Sequence, residues 1–131
     1  IYTLSLHDAL PIFGRVAELV REAALEGVRD ELPHSLAVVV DEIVDPRSAR
    51  ERGSRVKGSG NRLQVRVSLV VERDSQKAIV IGRGGARLKE VGVRARAGIE
   101  RLLGRRVYLD LHVRTARDWQ SDPRALARLG F

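Results

Sequence analysis

Apolar residues recur at helical spacing between Arg15 and Leu32. Val16, Leu19, Val20, Ala23, Ala24, Val28 and Leu32 share one face, with Arg21, Glu22, Arg29 and Asp30 among the outward positions. Pro33 is the expected stop, because the residue before a proline is pushed out of helical geometry. Ser35 to Val44 follows with Leu36, Val38, Val39, Val40, Ile43 and Val44, a strand with one face largely buried. From Leu63 to Val71 the period is two. Leu63, Val65, Val67, Leu69 and Val71 face one side, and Gln64, Arg66 and Ser68 the other. Glu72-Arg73-Asp74-Ser75 supplies a turn and a helix N-cap. Gln76 to Ile81 reads two ways: Ala78-Ile79-Val80-Ile81 has strand propensity, yet a cap precedes it and glycines follow.

Gly85 to Leu103 is a second amphipathic helix, with Leu88, Val91, Ala95, Ile99, Leu102 and Leu103 spaced by three and four. Arg87, Arg94 and Arg101 recur every seven residues on another face, where Glu90 can pair with Arg94 at i, i+4. Gly104 is the expected helix stop. Val107, Leu109, Leu111 and Val113 alternate with Tyr108, Asp110, His112 and Arg114 as a third strand. Asp122-Pro123 opens a short terminal helix that Gly130 ends. The order α-β-β-(α)-α-β, plus a terminal helix, predicts an α+β fold with helices on one face of a three-stranded sheet.

The 131 residues suffice for one domain that buries its own core. Ile1 to Ile12, IYTLSLHDALPI, resembles adaptor sequence translated into bacterial reading frames. It is too short for a membrane span and lacks the marks of a signal peptide. Residues 1–13 are accordingly expected to be non-native, and 14–131 to form the domain. There is no Met anywhere, including position 1, which points to a processed chain or a fragment.

Charge narrows the class of partner. Twenty-four Lys and Arg against 17 Asp and Glu leave +7, which favours a polyanion. Only Lys57, Lys77 and Lys89 are lysines; the arginine bias fits phosphate recognition and equally a GC-rich genome. Asp45 to Arg62 reads as a long mobile loop, with Arg47, Arg50, Arg52, Arg55, Lys57 and Arg62 against Asp45 and Glu51. The absence of cysteine removes disulfides, thiol nucleophiles and cysteine metal sites. His7, His34 and His112 lie far apart without metal-ligand spacing, and no catalytic triad is suggested.

The stretch richest in chemistry is Gly82-Arg83-Gly84-Gly85, directly before the second helix. Glycines let a ligand approach the backbone, and unbonded N–H groups at a helix start favour an anion. A dinucleotide fingerprint would need glycine where Arg87 stands, and a Walker A loop, G-x-x-x-x-G-K-S/T, occurs nowhere. What remains is G-x-x-G, the pattern that clamps a nucleic-acid backbone in KH domains.

The run Val71 to Lys89, VERDSQKAIVIGRGGARLK, resembles the type II KH domain that closes the bacterial Era family of GTPases. So do Arg21-Glu22-Ala23-Ala24-Leu25, Glu31-Leu32-Pro33-His34-Ser35, Arg105-Arg106-Val107-Tyr108-Leu109-Asp110-Leu111 and Asp118-Trp119. The resemblance spans roughly residues 15–131. It implies a type II KH fold and binding of single-stranded RNA, the 3′ end of 16S rRNA, during assembly of the 30S ribosomal subunit. It implies a cytoplasmic protein, with peripheral association at the inner membrane for the full-length form. It also implies a preceding GTPase domain holding GTP and Mg. The present chain lacks the Walker A loop and any Asn-Lys-x-Asp guanine reader, so no enzyme activity, cofactor or metal is expected of it.

By the same resemblance, Gly82, Arg83, Gly84 and Gly85 are the expected backbone clamp. Lys77, Arg87 and Lys89 are expected phosphate contacts, and Ile79, Val80 and Ile81 candidates for an apolar floor under the bases. Plain core is the competing role for those three. Tyr2, Phe13, Tyr108, Trp119 and Phe131 form no strand-centred aromatic pair of the kind that RRM or OB folds use for stacking. Trp119 is expected to anchor the terminal helix. The alternative function is a protein-interaction or ribosome-docking module with only non-specific electrostatic contact to RNA.

Overall fold

The computed structural model describes residues 6–28, 36–46, 62–117 and 123–128. Helix α1 (Leu6–Leu25) leads to strands β1 (Ala37–Val44) and β2 (Leu63–Val71). Helix α2 (Asp74–Ile81), a single 3-10 turn (Arg83–Gly85) and helix α3 (Ala86–Leu103) follow, then β3 (Val107–Thr115) and α4 (Pro123–Arg128). The Asp45–Arg62 loop (apart from its ends), Pro33, Trp119, Asp122 and Gly130 lie outside the described residues.

β2 is the centre of the sheet, antiparallel to β1 and parallel to β3. Its alternation decides the layering. Leu63, Val65, Val67, Leu69 and Val71 are all buried, beneath Val16, Val20 and Ala24 of α1 and Val91, Ala95, Ile99 and Leu103 of α3. Both helices present residues four apart, the spacing that aligns side chains along one face. Each fully buried Val or Leu contributes roughly 1.5–3 kcal/mol. The expected α+β layout is thus built from the expected apolar positions.

Two boundaries differ from expectation. α1 begins at Leu6, with Pro11 inside it, and Ile12 already packs against the core. The same helix ends at Leu25, not at Pro33. Gly27 takes a left-handed φ of 80°, and the Val28 N–H donates to the Leu25 carbonyl at 3.1 Å. Val28 still packs on the core, so the apolar spacing outlasts the helix that it suggested.

The ambiguous Gln76–Ile81 segment is helical. The Gln76 carboxamide oxygen accepts from the Glu72 and Arg73 N–H groups at 3.1 and 3.0 Å, fixing the entry to α2. Asp74, in the first turn, accepts from the Thr115 hydroxyl at 2.9 Å and ties α2 to the end of β3. Local capping therefore overrides the strand propensity of Ile79-Val80-Ile81.

The face of the sheet away from α1 and α3 carries a small apolar cluster, Ala37 and Val70 with Val39 and Ala116, and beside it an internally paired polar patch. Arg66 lies between Glu42 (3.3 Å) and Asp110 (3.7 Å), and His112 lies 3.1 Å from Asp110. The register of β1 shifts between Val40 and Glu42, making Asp41 the extra residue of a bulge, and its carboxylate accepts from Ser68 at 2.6 Å. No helix among the described residues is long and apolar enough to cross a membrane.

Candidate nucleic-acid interface

Gly82-Arg83-Gly84-Gly85 forms the corner between α2 and α3. Gly82 has φ 75° and ψ 176°, a conformation essentially restricted to glycine. A Cβ on Gly82 would lie 2.5 Å from the Cβ of Arg87, so the chain folds this tightly only without a side chain there. Gly84 (φ 61°) and Gly85 (φ 79°) are also left-handed, and their missing side chains would meet nothing within 4 Å. Their backbone is open to a ligand from outside.

α3 starts at this corner with no side-chain cap and no acidic residue in its first turn. Its positive end therefore faces the loop without a local counter-charge. Arg83 is exposed beside it.

From Gly85 a groove of about 470 Å³ runs between α3 and β3, an edge strand of the sheet. Leu88, Lys89, Gly92, Val93 and Arg96 line it from α3; Tyr108, Leu109 and Leu111 line it from β3; Arg62 closes one side. The lining holds, among the described residues, three cations and no carboxylate. Among the described residues, Arg62, Lys89 and Arg96 have no ion-pair partner. Val93 and Tyr108, 56% and 43% exposed, are the exposed large hydrophobics of the described residues, and both line this groove. Apolar walls with unpaired cations fit a ligand that has flat apolar faces and an anionic backbone.

The structure separates the expected site residues into groups. Gly82, Arg83, Gly84 and Gly85 form the corner, and Lys89 lies on the groove wall. Lys77 is part-buried on α2 and Ile81 part-buried at its end; neither lines the groove. Val80 is wholly buried in the core, and Ile79 packs against the core. These two lie beneath the corner, on the inward face of α2, whereas the apolar lining of the groove comes from Leu88, Leu109 and Leu111.

Arg87 also departs from its expected place. Its Nη2 donates to the main-chain carbonyls of Ala24 (2.9 Å) and Glu26 (2.5 Å), which turns the guanidinium toward α1 and away from the groove. Glu90 pairs with Arg94 at 3.0 Å as the i, i+4 spacing suggests, and Arg94 also pairs with Glu26. Those two carboxylates, Glu26 first, raise the Arg94 pKa above its ordinary value. Arg94 is therefore engaged on the α1 side.

Sequence reasoning does not place Leu88, Gly92, Val93, Arg96, Tyr108, Leu109, Leu111 or Arg62 at the candidate interface, although these residues line the groove. The stripe Gly85-Leu88-Lys89-Gly92-Val93-Arg96 was available, since its spacing of three and four continues one face of α3 from the loop. The contribution of β3 depends on sheet order, which no local pattern encodes.

A family model described as "KH domain" matches residues 31–120. GTPase Era of Mycobacterium avium (strain 104) is 63% identical over 116 residues, 88% of this chain and 36% of that protein. GTPase Era of Mycobacterium tuberculosis (strain H37Rv) is 61% identical over the same length. The chain thus spans little more than a third of these relatives. Among solved structures, Aquifex aeolicus Era bound to GDP and aluminium fluoride matches with a TM-score of 0.76 at 38% identity, covering 92% of this chain and 36% of that one. Era in complex with MgGDPNP and nucleotides 1506–1542 of 16S ribosomal RNA matches with a TM-score of 0.77 at 36% identity, covering 99% and 41%. The G-x-x-G corner, the three-stranded sheet and these matches agree, and the chain belongs to the KH domain family.

Proposed function

We propose that the chain binds single-stranded RNA, the 3′ end of 16S rRNA, as the RNA-binding part of an Era-type GTPase acting in assembly of the 30S subunit. The observation that carries this reading is the groove beside Gly85, with apolar walls and, among the described residues, three cations without an ion-pair partner and no carboxylate. The solved Era complex with 16S rRNA nucleotides supports the choice of RNA. GTP and Mg belong, in this proposal, to a GTPase domain in the remainder of such a protein, which works in the cytoplasm and associates peripherally with the inner membrane.

In the proposed mechanism a phosphate sits against the bare backbone of Gly84 and Gly85. The positive end of α3 and the Arg83 guanidinium attract it. The strand then follows the groove, with about four nucleotides held. Leu88, Leu109 and Leu111 support the bases, while Lys89, Arg96 and Arg62 neutralise the phosphates. Single strands fit this arrangement because their bases can turn toward the apolar wall.

A short oligonucleotide with the 16S 3′-terminal sequence is expected to bind at least about tenfold more tightly than a scrambled one, roughly 1.4 kcal/mol of discrimination. Replacing Lys89 and Arg96 together by glutamine is expected to flatten the salt dependence. The slope of log affinity against log salt should fall by about 0.7 for each phosphate contact removed. Equal affinity for the scrambled strand would favour a docking module with non-specific RNA contact. An unchanged slope would remove Lys89 and Arg96 from the interface.

A further inference from the structure

We propose that Arg87 is a positioning residue for the phosphate clamp, fastening the first turn of α3 to the C-terminus of α1 while its stem supports Gly82. This rests on the RNA-binding reading above and assigns Arg87 a place in it that involves no contact with RNA.

The last carbonyls of a helix have no partner within the helix, and a cation near them is favourable. Arg87 meets both needs of α1 across more than sixty residues of sequence, by donating to the carbonyls of Ala24 and Glu26. The donations are from Nη2, so that nitrogen's two protons are both committed. The Nε is buried without a hydrogen-bond partner among the described residues. Arginine holds such a position only where its remaining bonds and packing fix it. Two helical turns later, Arg94 pairs with Glu26. α3 therefore grips the same end of α1 twice.

The other end of the Arg87 side chain touches the clamp. The Arg87 Cβ stands 2.5 Å from where a Cβ of Gly82 would be, so the backbone of Gly82 rests on the root of this side chain. One residue thus links the corner, the start of α3 and the end of α1. Without the latch, the corner retains its own local bonds, among them Gly82 N–H to the Ala78 carbonyl and Gly85 N–H to the Gly82 carbonyl, at 2.9 and 3.2 Å, and Ala86 N–H to the Arg83 carbonyl. The first turn of α3 would then be free to shift, and the positive helix end would lose its fixed aim at the phosphate.

Arg87→Met keeps an unbranched apolar stem and removes every donor. In the RNA-free protein, amide hydrogen exchange at Gly85 and Ala86 is expected to rise about tenfold, while Val91, Ala95 and Ile99 keep their protection. Affinity for the single-stranded oligonucleotide is expected to fall about tenfold with the salt slope unchanged, and Arg87→Lys to recover part of it. Unaltered exchange at Gly85 and Ala86 would overturn the proposal. So would a salt slope reduced by about 0.7, the mark of a lost phosphate contact. A wild-type chain that fails to bind the oligonucleotide would refute the RNA-binding reading instead, and the exchange measurement, made without RNA, would still decide the latch.

Discussion

Gly82→Ala is expected to destabilise the protein by about 3 kcal/mol and to abolish tight RNA binding in whatever remains folded. Two penalties coincide at this residue. Its φ of 75° with ψ 176° lies where only glycine rests without strain. The new Cβ would also meet the Arg87 Cβ at 2.5 Å, and that atom is the fixed root of a side chain rather than a mobile tip. Relief requires α3 to move away from α2, which opens the corner and displaces the Arg87 hydrogen bonds to α1. Urea unfolding checks the first effect, as a lowered midpoint with an unchanged slope. Stability within about 0.5 kcal/mol of wild type would show that the corner is looser than its geometry indicates.

Arg83→Asp combined with Gly84→Asp is expected to lower RNA affinity at least about hundredfold while leaving the fold intact, a loss of roughly 2.7 kcal/mol or more. Arg83 and Gly84 are both exposed, and a Cβ on Gly84 meets nothing within 4 Å. The backbone at Gly84 has φ 61°, which aspartate tolerates better than most residues. One favourable charge is removed and two carboxylates are placed where the phosphate would lie. This contrasts with Gly82→Ala, which acts through packing. Circular dichroism and the unfolding midpoint report on the fold, and fluorescence anisotropy with a labelled oligonucleotide reports on binding. Unchanged affinity would remove the corner from the interface.

The architecture was legible wherever pattern and burial coincide. The period-two run Leu63–Val71 and the period-3.6 run of α3 both mark the core face, although Ser68 and Val70 on the other face of β2 are buried as well. Gly104 could be read as the end of α3, where its N–H donates to the Glu100 carbonyl at 2.8 Å. The end of α1 was misplaced because Val28 packs on the core without being helical, so apolar spacing and helical geometry part company there. The helical state of Ile79-Val80-Ile81 was hidden behind β-branched side chains and decided by one carboxamide, that of Gln76.

The candidate site was legible only in part. The G-x-x-G corner is local in sequence and could be found there. Arg87 looked like a phosphate contact because it follows the corner directly, but helical geometry turns it through the fold to meet α1. The opposite wall of the groove comes from Tyr108, Leu109 and Leu111, which reach it only because β3 is at an edge of the sheet next to α3. Polar pairing supplied the last discrimination. Arg66 and Arg94 are as basic as Lys89 and Arg96, yet the former meet carboxylates and the latter meet none among the described residues.

The most direct test of the central claim is a titration of the isotopically labelled chain with a single-stranded oligonucleotide of the 16S 3′-terminal sequence, reading each backbone amide by NMR. The predicted shifts fall on Gly82 to Gly85, on Leu88, Lys89, Gly92, Val93 and Arg96 along α3 and on Tyr108, Leu109 and Leu111, with α1 and the Asp41, Glu42 and Arg66 face unmoved. Shifts centred on that opposite face of the sheet, or none at saturating RNA, would contradict it.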